Sequence, residues 1–171
     1  MSEASTIATT RGWPATVDSL ARDLAGLGLA PGGAVIVHGS MKALGYVIGG
    51  PVAVIGALER VLGAGGTLAM PTFTGQLTDP AGWVAPPVPA AWWPLIRAQE
   101  PAFDPEATPT RMMGAIPELF RTVPGGRRSD DRDVSFAARC VDAAGISGHQ
   151  CLVRSVVRAS PLAGLYEHGA Q

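Results

Sequence analysis

Two short apolar runs with an amphipathic stretch between them constrain the fold of this chain most strongly. The runs are residues 34–37 and 67–70, and turns rich in glycine and proline precede both. A continuous apolar run of this length is typical of a strand that is covered on both faces. Between the runs, apolar residues recur at helical spacing from Pro51, which suits a first helical turn, to Gly63, which suits a C-cap. The order strand, loop, helix, strand predicts an α/β domain with a mostly parallel sheet and flanking helices.

The remaining elements are predicted from capping residues and apolar spacing. Thr16 is expected to cap a helix that Gly28 ends. Residues 1–12 are small and polar and are predicted to be disordered, so the domain is expected to span residues 13–171. Further elements are predicted at 115–121 (helix), 134–138 (strand) and 162–168 (helix).

The stretch from residue 76 to residue 110 differs from the rest of the chain. It holds eight prolines and three of the four tryptophans, with a short helix predicted near residues 92–97. A loop this long inside a compact domain is usually a lid or a binding insertion. Its acidic and aromatic side chains suit the binding of a polycationic sugar. An equally favoured alternative is that the acids are solvated and the tryptophans pack the insertion on the core. These side chains are Asp79, Glu100, Asp104, Glu106, Trp83, Trp92, Trp93 and Phe103.

The net charge and the two cysteines exclude several classes of binding partner and site. A net charge of −1 gives no attraction to nucleic acid or to an anionic membrane. The sequence shows no secretory signal, and no apolar run approaches the roughly 18 residues that span a bilayer. We therefore predict a soluble, cytoplasmic protein without nucleic-acid or membrane partners. Cys140 and Cys151 lack the spacing of a zinc site, so idle thiols are favoured over a metal, and a disulfide stays open.

The segment from His38 to Gly45 follows the first predicted strand, where open α/β sheets bind ligands. Its small residues let backbone N–H groups approach an anion, and Lys42 adds a compact positive charge, as phosphate-bearing CoA would require. On these residues alone, a structural turn with a solvated lysine is the favoured alternative. His38 is interpreted as structural in preference to a general base. The charges at residues 127–133 are interpreted as a solvated turn.

Successive motifs along the chain are far more specific together than any one is alone. In chain order they are VHGSMKALGYVIGGPVAVIGAL, LGAGGTLAMPTFTGQLTDPAGW, PAFDPEATPTRMMGAIPELFR, RRSD with SFAA, and SPLAGLYE. In this order and spacing the chain resembles the aminoglycoside 3-N-acetyltransferases over residues 16–168. The resemblance implies a family-specific α/β fold that is distinct from the GNAT acetyltransferase fold. It also implies acetyl-CoA as donor and, as acceptor, the 3-amino group of a 2-deoxystreptamine aminoglycoside.

The same resemblance implies positions for both ligands. The loop at residues 40–45 is expected to wrap the pantetheine and phosphate region of CoA, with two further segments near it. The end of the second strand and two acids of the insertion are expected to form the floor and wall of the aminoglycoside pocket. The predicted cofactor positions are Ser40, Met41, Lys42, Ala43, Leu44, Gly45, Thr108, Thr110 and Ser160. The predicted substrate positions are Thr72, Phe73, Asp79 and Asp104.

The chain departs from the family pattern in two places. Residues 130–133 replace a His-Pro dipeptide, and the sequence ends at Gln171, before the His-Asp-x-Asn-Thr motif that carries the family's base. The resemblance therefore predicts a partial domain with no assigned catalytic residue. Three interpretations stay open: a resistance acetyltransferase, an inactive remnant that binds CoA or aminoglycoside, and a fragment that needs a separate C-terminal half. Assembly into a homo-oligomer also stays open.

Overall fold

The computed structural model describes residues 3–140, which form one four-stranded sheet with helices packed against it. The sheet has the order β1-β2-β4-β3. The helices are α1 (Glu3–Thr9), α2 (Val17–Gly26), α3 (Met41–Leu44), α4 (Gly50–Leu62), α5 (Trp93–Gln99) and α6 (Ala115–Phe120), and the strands are β1 (Ala34–Ile36), β2 (Thr67–Pro71), β3 (Arg127–Arg128) and β4 (Phe136–Cys140).

The predicted strand–loop–helix–strand unit is confirmed. β1 and β2 pair in parallel, with Ala34 opposite Thr67 and Ile36 opposite Ala69. The connection between them contains α3 and α4, as a parallel pair requires. The first strand is only half-buried, however, and not covered on both faces as its apolar run suggests.

The prediction of a mostly parallel sheet is wrong for the described residues, where the sheet is mixed. β4 runs antiparallel to β2 on one side and to β3 on the other. A crossover helix imposes parallel pairing only on the strands that it joins. β3 and β4 follow each other through a short link, which turns the chain back and sets β4 against the direction of β2. The α/β class itself is confirmed.

The core lies between α4 and the sheet, and α2 and α6 both pack against α4. α4 forms because its apolar residues recur on one face, with Pro51 in its first turn and Gly63 at its C-cap, as predicted. The largest fully buried apolar side chains are Leu58, Leu62, Leu68, Met70, Ile116 and Phe120. This core fixes the carboxyl ends of β1 and β2, from which the candidate site segments leave.

The predicted cap of the second helix is also confirmed. The Thr16 hydroxyl accepts a hydrogen bond from the Ser19 N–H, and the Ser19 hydroxyl accepts one from the Thr16 N–H, at 3.1 and 2.9 Å. This capping box satisfies two of the N–H groups that a helix start leaves open. Gly28 follows the helix with a φ of +99°, which is the left-handed conformation expected after a C-cap.

The N-terminal segment differs from its prediction, because residues 3–9 form α1 where disorder was expected. A helix of seven residues is marginal in water on its own. Here the chain just after it is fastened to the fold, since the Tyr46 N–H donates to the Thr10 hydroxyl at 2.8 Å. A contact between residues so far apart in the chain cannot be predicted from the local composition of residues 1–12.

The later elements agree with their predictions apart from their ends. α5 and α6 lie at the predicted positions, and the predicted strand at 134–138 is shifted to Phe136–Cys140. The predicted helix at 162–168 lies outside the described residues. None of the helices within residues 3–140 is long and apolar enough to cross a membrane.

Candidate functional site

The predicted cofactor loop contains a single helical turn, α3, between β1 and α4. Ser40 precedes the turn, and Gly45 ends it with a φ of +74°. Beside α3 lies a cavity of about 580 Å³. Its lining residues come from α1, α3, the link between α3 and α4, the start of α4 and the start of α6: Thr6, Met41, Lys42, Gly45, Tyr46, Val47, Gly49, Gly50, Pro51 and Ala115.

The electrostatics of this cavity favour an anion. Lys42 is exposed at its edge, and the thirteen-residue helix α4 begins there. The N-terminus of a helix carries a partial positive charge, although here the Gly50 N–H donates to the Val47 carbonyl and Pro51 has no N–H. Gly49, at a φ of +86°, and Gly50 leave the backbone uncovered at this point. Three of the predicted cofactor residues (Met41, Lys42 and Gly45) line the cavity, whereas Ser40, Ala43 and Leu44 belong to the same turn without lining it.

The predicted substrate residue Thr72 is fully buried at the end of β2. Its N–H donates to the Ser135 carbonyl at 2.8 Å, and its own carbonyl accepts from the Ser135 hydroxyl at 2.7 Å. The next residue, Phe73, packs edge-on against the Phe136 ring, with centroids 5.5 Å apart. Thr72 therefore holds the end of β2 against Ser135 from within the core. Phe73 is half-buried and lies nearer the surface.

Arg128 is the principal residue that the sequence analysis missed. Its guanidinium donates to the Thr72 hydroxyl and the Ser135 hydroxyl, both at 3.1 Å, and to the carbonyls of Thr72 and Thr108. It also lies 5.0 Å from the centroid of the Phe103 ring. The side chain is thus buried, and the interpretation of residues 127–133 as a solvated turn is wrong at this position.

The reason for that error is the alternation of a strand. β3 has only two residues, so Arg127 points to solvent while Arg128 points inward. Burial and, to a smaller extent, the nearby Arg121 charge lower the pKa of Arg128 to about 10, while Glu118 opposes both. The guanidinium is therefore still protonated at neutral pH, when it bridges a predicted substrate residue, Thr72, and a predicted cofactor residue, Thr108.

Asp104 and Thr108 are joined by two hydrogen bonds that close one turn of the insertion. The Asp104 N–H donates to the Thr108 hydroxyl at 2.9 Å, and the Thr108 N–H donates to the Asp104 carbonyl at 2.8 Å. The Asp104 carboxylate accepts from the N–H groups of Ala107 and Glu106, and these bonds lower its pKa. The carboxylate is exposed, so it stays ionised and open to solvent at neutral pH.

Asp79 lies in another part of the insertion, where it caps a short turn at Pro80–Gly82. Its carboxylate accepts from Arg97 at 2.8 Å and from the Ala81 N–H at 2.8 Å, and these bonds lower its pKa. A groove of about 380 Å³ runs beside α5, lined by Gln76, Leu77, Trp83, Leu95, Ile96, Gln99, Glu100 and Pro101. Trp83 is half-buried and its indole N–H donates to the Thr78 hydroxyl of the same insertion at 2.9 Å, whereas Trp92 is exposed, so the alternative that the tryptophans pack on the core stays a prediction.

Thr110 connects the insertion to α6 through Glu118. Both the N–H and the hydroxyl of Thr110 donate to one Glu118 oxygen at 2.7 Å, and Arg121 donates to the other. Burial raises the pKa of Glu118, but the hydrogen bonds from Arg121 and Thr110 outweigh it and bring the pKa to about 2. The ionised carboxylate therefore holds Thr110 in place at any pH near neutrality.

Replacing Glu118 with glutamine is expected to weaken the fold at pH 7 and to matter less in acid. The pKa of Glu118 falls from 4.5 to about 2 on folding, so its stabilisation is complete above pH 4.5 and is lost as pH falls towards 2. We expect a loss of about 1 kcal/mol at pH 7, a small value because the side chain is partly exposed. Urea unfolding at pH 7 and pH 3 measures it.

Glu106→Gln, which alters an exposed carboxylate of the same insertion, is the matched control for that experiment. The difference between Glu118→Gln and the unaltered chain should shrink between pH 5 and pH 2, while the control stays close to the unaltered chain throughout. A Glu118→Gln deficit that is equal at both pH values would contradict the assignment.

The remaining predicted positions add little to the site. His38 is exposed at the end of β1. Ser160 lies outside the described residues. Within residues 3–140, no three His, Cys, Asp or Glu side chains come together as metal ligands.

Comparison with known proteins tests the resemblance. The family model described as aminoglycoside 3-N-acetyltransferase matches residues 36–171. A Bacillus subtilis (strain 168) protein, the SPbeta prophage-derived aminoglycoside N(3')-acetyltransferase-like protein YokD, is 46% identical over 127 residues, which are 74% of this chain and 47% of that protein. This chain spans about half the length of the curated relatives that it matches.

Solved structures agree with the sequence comparisons. The crystal structure of aminoglycoside acetyltransferase AAC(3)-Xa superposes with a TM-score of 0.78 at 36% identity, over 98% of this chain and 58% of that one. The structure of AAC-IIIb as a binary complex with CoASH gives a TM-score of 0.69 at 34% identity, over 91% of this chain and 57% of that one. The resemblance and the fold class inferred from the sequence motifs are thereby confirmed, and the chain belongs to the aminoglycoside 3-N-acetyltransferase family.

Proposed function

We propose that this chain supplies the acetyl-CoA site and part of the acceptor wall of an enzyme that acetylates the 3-amino group of 2-deoxystreptamine aminoglycosides. The cavity beside α3 is the observation that carries the proposal, because predicted cofactor residues meet there. Family membership supports the reaction class, and the CoASH complex of AAC-IIIb supports the donor. Inactivation of an aminoglycoside by this route would confer antibiotic resistance.

The residues that line the cavity fit CoA. A volume of about 580 Å³ lies within the range of roughly 300–1,000 Å³ that is usual for small-molecule sites. Lys42 and the N-terminus of α4 suit the phosphates of CoA. The exposed backbone at Gly49 suits its amide-rich arm, which needs hydrogen-bonding partners. When bound, the thioester would supply the acetyl group, and the CoA thiol would leave as the amide forms.

The acceptor side rests on the two acids of the insertion. The carboxylates of Asp79 and Asp104 are exposed and have lowered pKa values, so both are ionised when an aminoglycoside is polycationic. Asp104 is held by backbone N–H groups and keeps lone pairs for an ammonium group. Asp79 already pairs with Arg97, so an ammonium group would have to displace that guanidinium. Phe73 and buried Thr72 would form the floor.

Acetyl transfer also requires a base, because the acceptor amine is largely protonated near neutrality. We assign no catalytic base within residues 3–140. His38, the one histidine within residues 3–140, is exposed after β1 and precedes the turn that carries Lys42. A cytoplasmic location accords with the proposal, since acetyl-CoA is an intracellular metabolite.

An amine-labelling experiment tests the donor site directly, because Lys42 is the only lysine in the chain. An amine-reactive reagent therefore has only this side chain and the α-amino group as targets. Bound CoA is expected to slow labelling of Lys42 at least fivefold and to leave the α-amino group unaffected, as read by mass spectrometry. Equal labelling of Lys42 with and without saturating CoA would overturn the proposed site.

Titration calorimetry with Lys42→Gln gives a second test. Loss of the positive charge is expected to weaken CoA binding about tenfold, or about 1.4 kcal/mol, and to reduce its salt dependence. Arg22→Gln, at an exposed cation on α2 that does not line the cavity, is the matched control and should bind as the unaltered chain does.

Release of CoA thiol in the presence of acetyl-CoA and a panel of aminoglycosides separates the open interpretations. Binding of CoA without release of thiol would identify the non-catalytic alternative.

A further inference from the structure

The N-terminal segment forms one wall of the proposed donor cavity. Thr6, on α1, lines the cavity together with residues of α3 and α4. The family model begins to match only at residue 36, so the match itself assigns nothing to this segment. The disorder predicted for residues 1–12 would give it no role, whereas in the structure Thr6 lines the same cavity as Lys42 and Thr10 contacts Gly45 and Tyr46.

Thr10 connects α1 to Tyr46 of the cavity lining, because its hydroxyl both accepts and donates a hydrogen bond. The oxygen accepts from the Tyr46 N–H at 2.8 Å, and the hydroxyl donates to the Thr6 carbonyl at 2.7 Å. One side chain therefore satisfies a backbone donor of the cavity lining and a backbone acceptor at the end of α1.

The backbone beyond Tyr46 is fastened to the same segment. The Ala15 N–H donates to the Tyr46 carbonyl, and the Ile48 N–H donates to the Ala15 carbonyl, both at 2.9 Å. Ala15 and Val47 thus form a parallel bridge. Residues 46–48 consequently have three hydrogen bonds to the chain at residues 10–15.

Gly45 shows how closely the two segments approach. A Cβ atom at this position would lie 3.1 Å from the Thr10 hydroxyl oxygen, and the φ of +74° favours glycine independently. The hydroxyl therefore lies almost in contact with the backbone of the cavity lining. A side chain at residue 45 would push the two apart.

We infer that Thr10 is a positioning residue that holds residues 45–48 in the conformation that receives CoA. This inference rests on the proposed donor site. Without the Thr10 hydroxyl, the Tyr46 N–H loses its acceptor and α1 loses a link to the cavity. The lining then samples other conformations, and CoA must order it on binding.

The test compares identical substitutions at neighbouring threonines. Thr10→Val keeps the shape of the side chain and removes the hydroxyl. Thr9→Val is the matched control, because the Thr9 hydroxyl is exposed and donates only within α1, to the carbonyls of Ser5 and Thr6. Thr10→Ser retains the hydroxyl and should restore the behaviour of the unaltered chain.

Two measurements apply to these variants. Amide hydrogen exchange at Tyr46 is expected to accelerate at least tenfold in Thr10→Val and to be unchanged in Thr9→Val. The dissociation constant for CoA, from calorimetry, is expected to rise about fivefold to tenfold in Thr10→Val only. Thermal unfolding of each variant shows that the domain is folded at the temperature used.

The outcomes distinguish this inference from the proposed function. Unchanged exchange at Tyr46, equal CoA affinity in the two valine variants, or failure of Thr10→Ser to restore affinity would each overturn the role of Thr10. Absence of CoA binding by the unaltered chain would overturn the proposed donor site, and exchange at Tyr46 would still report whether Thr10 holds the lining.

Discussion

Replacing Arg128 with methionine is expected to destabilise the fold by about 3 kcal/mol, the largest effect of any single substitution considered. The guanidinium satisfies two backbone carbonyls, of Thr72 and Thr108, and two buried hydroxyls, of Thr72 and Ser135. Replacing a whole buried polar cluster with apolar groups is often neutral, but the carbonyls here belong to the backbone and cannot be removed. Methionine would fill the space, but the Thr108 carbonyl would lose its guanidinium donor and the Thr72 carbonyl would keep only the Ser135 hydroxyl.

Arg127→Met is the matched control, because its side chain is exposed on the same short strand. Urea unfolding should place this variant within about 0.5 kcal/mol of the unaltered chain. Arg128→Lys keeps the charge but loses the planar fork, so we expect a stability between those of the other two. Equal stability of Arg128→Met and Arg127→Met would show that the buried contacts contribute nothing.

The second large effect is expected at Gly66, where alanine should destabilise the fold by about 2 kcal/mol. A Cβ atom there would lie 2.6 Å from the Leu62 Cβ and 2.8 Å from the Leu62 carbonyl oxygen. Leu62 is fully buried in the core at the end of α4, so neither atom can move away without disturbing that packing. The strain would separate α4 from the start of β2.

Gly56→Ala is the control of opposite sign, because a Cβ atom at this position meets nothing within 4 Å. Gly56 lies inside α4, where alanine is favoured over glycine by about 1 kcal/mol. Denaturant unfolding should therefore show one alanine substitution lowering the free energy of unfolding and the other raising it. Two shifts of the same sign would show that the space around these glycines has been misjudged.

The cavity that we propose as the donor site lies beside the loop predicted from the sequence, and its binding of CoA stays a prediction. The segment at residues 40–45 follows a strand, is rich in small residues and carries Lys42, and the family motifs point to the same place. Its helical turn was not predicted, nor was the contribution of Thr6, because that contact joins residues far apart in the chain. The acceptor residues Asp79 and Asp104 stay predictions, since the structure shows how they are held and not what they bind.

Arg128 and Thr10 show why part of the site could not be predicted. Arg128 stands in a run of charges that is polar by composition, and its burial follows only from its position in a two-residue strand beside β4. Thr10 stands in a small polar segment, and its role depends on the Tyr46 backbone. In both cases the partners include backbone groups that no side-chain pattern reveals.

The sequence by itself determined the longer helices, the β1–β2 strand pair and the family. Apolar spacing, Thr16 and Gly63 set helix ends, because caps and periodicity act within a few residues. The tertiary structure alone decided that β4 runs antiparallel to β2, that α1 is ordered, and that Arg128 is buried. Each of these depends on hydrogen bonds between distant segments, whose free energy becomes available only when the core has brought the segments together.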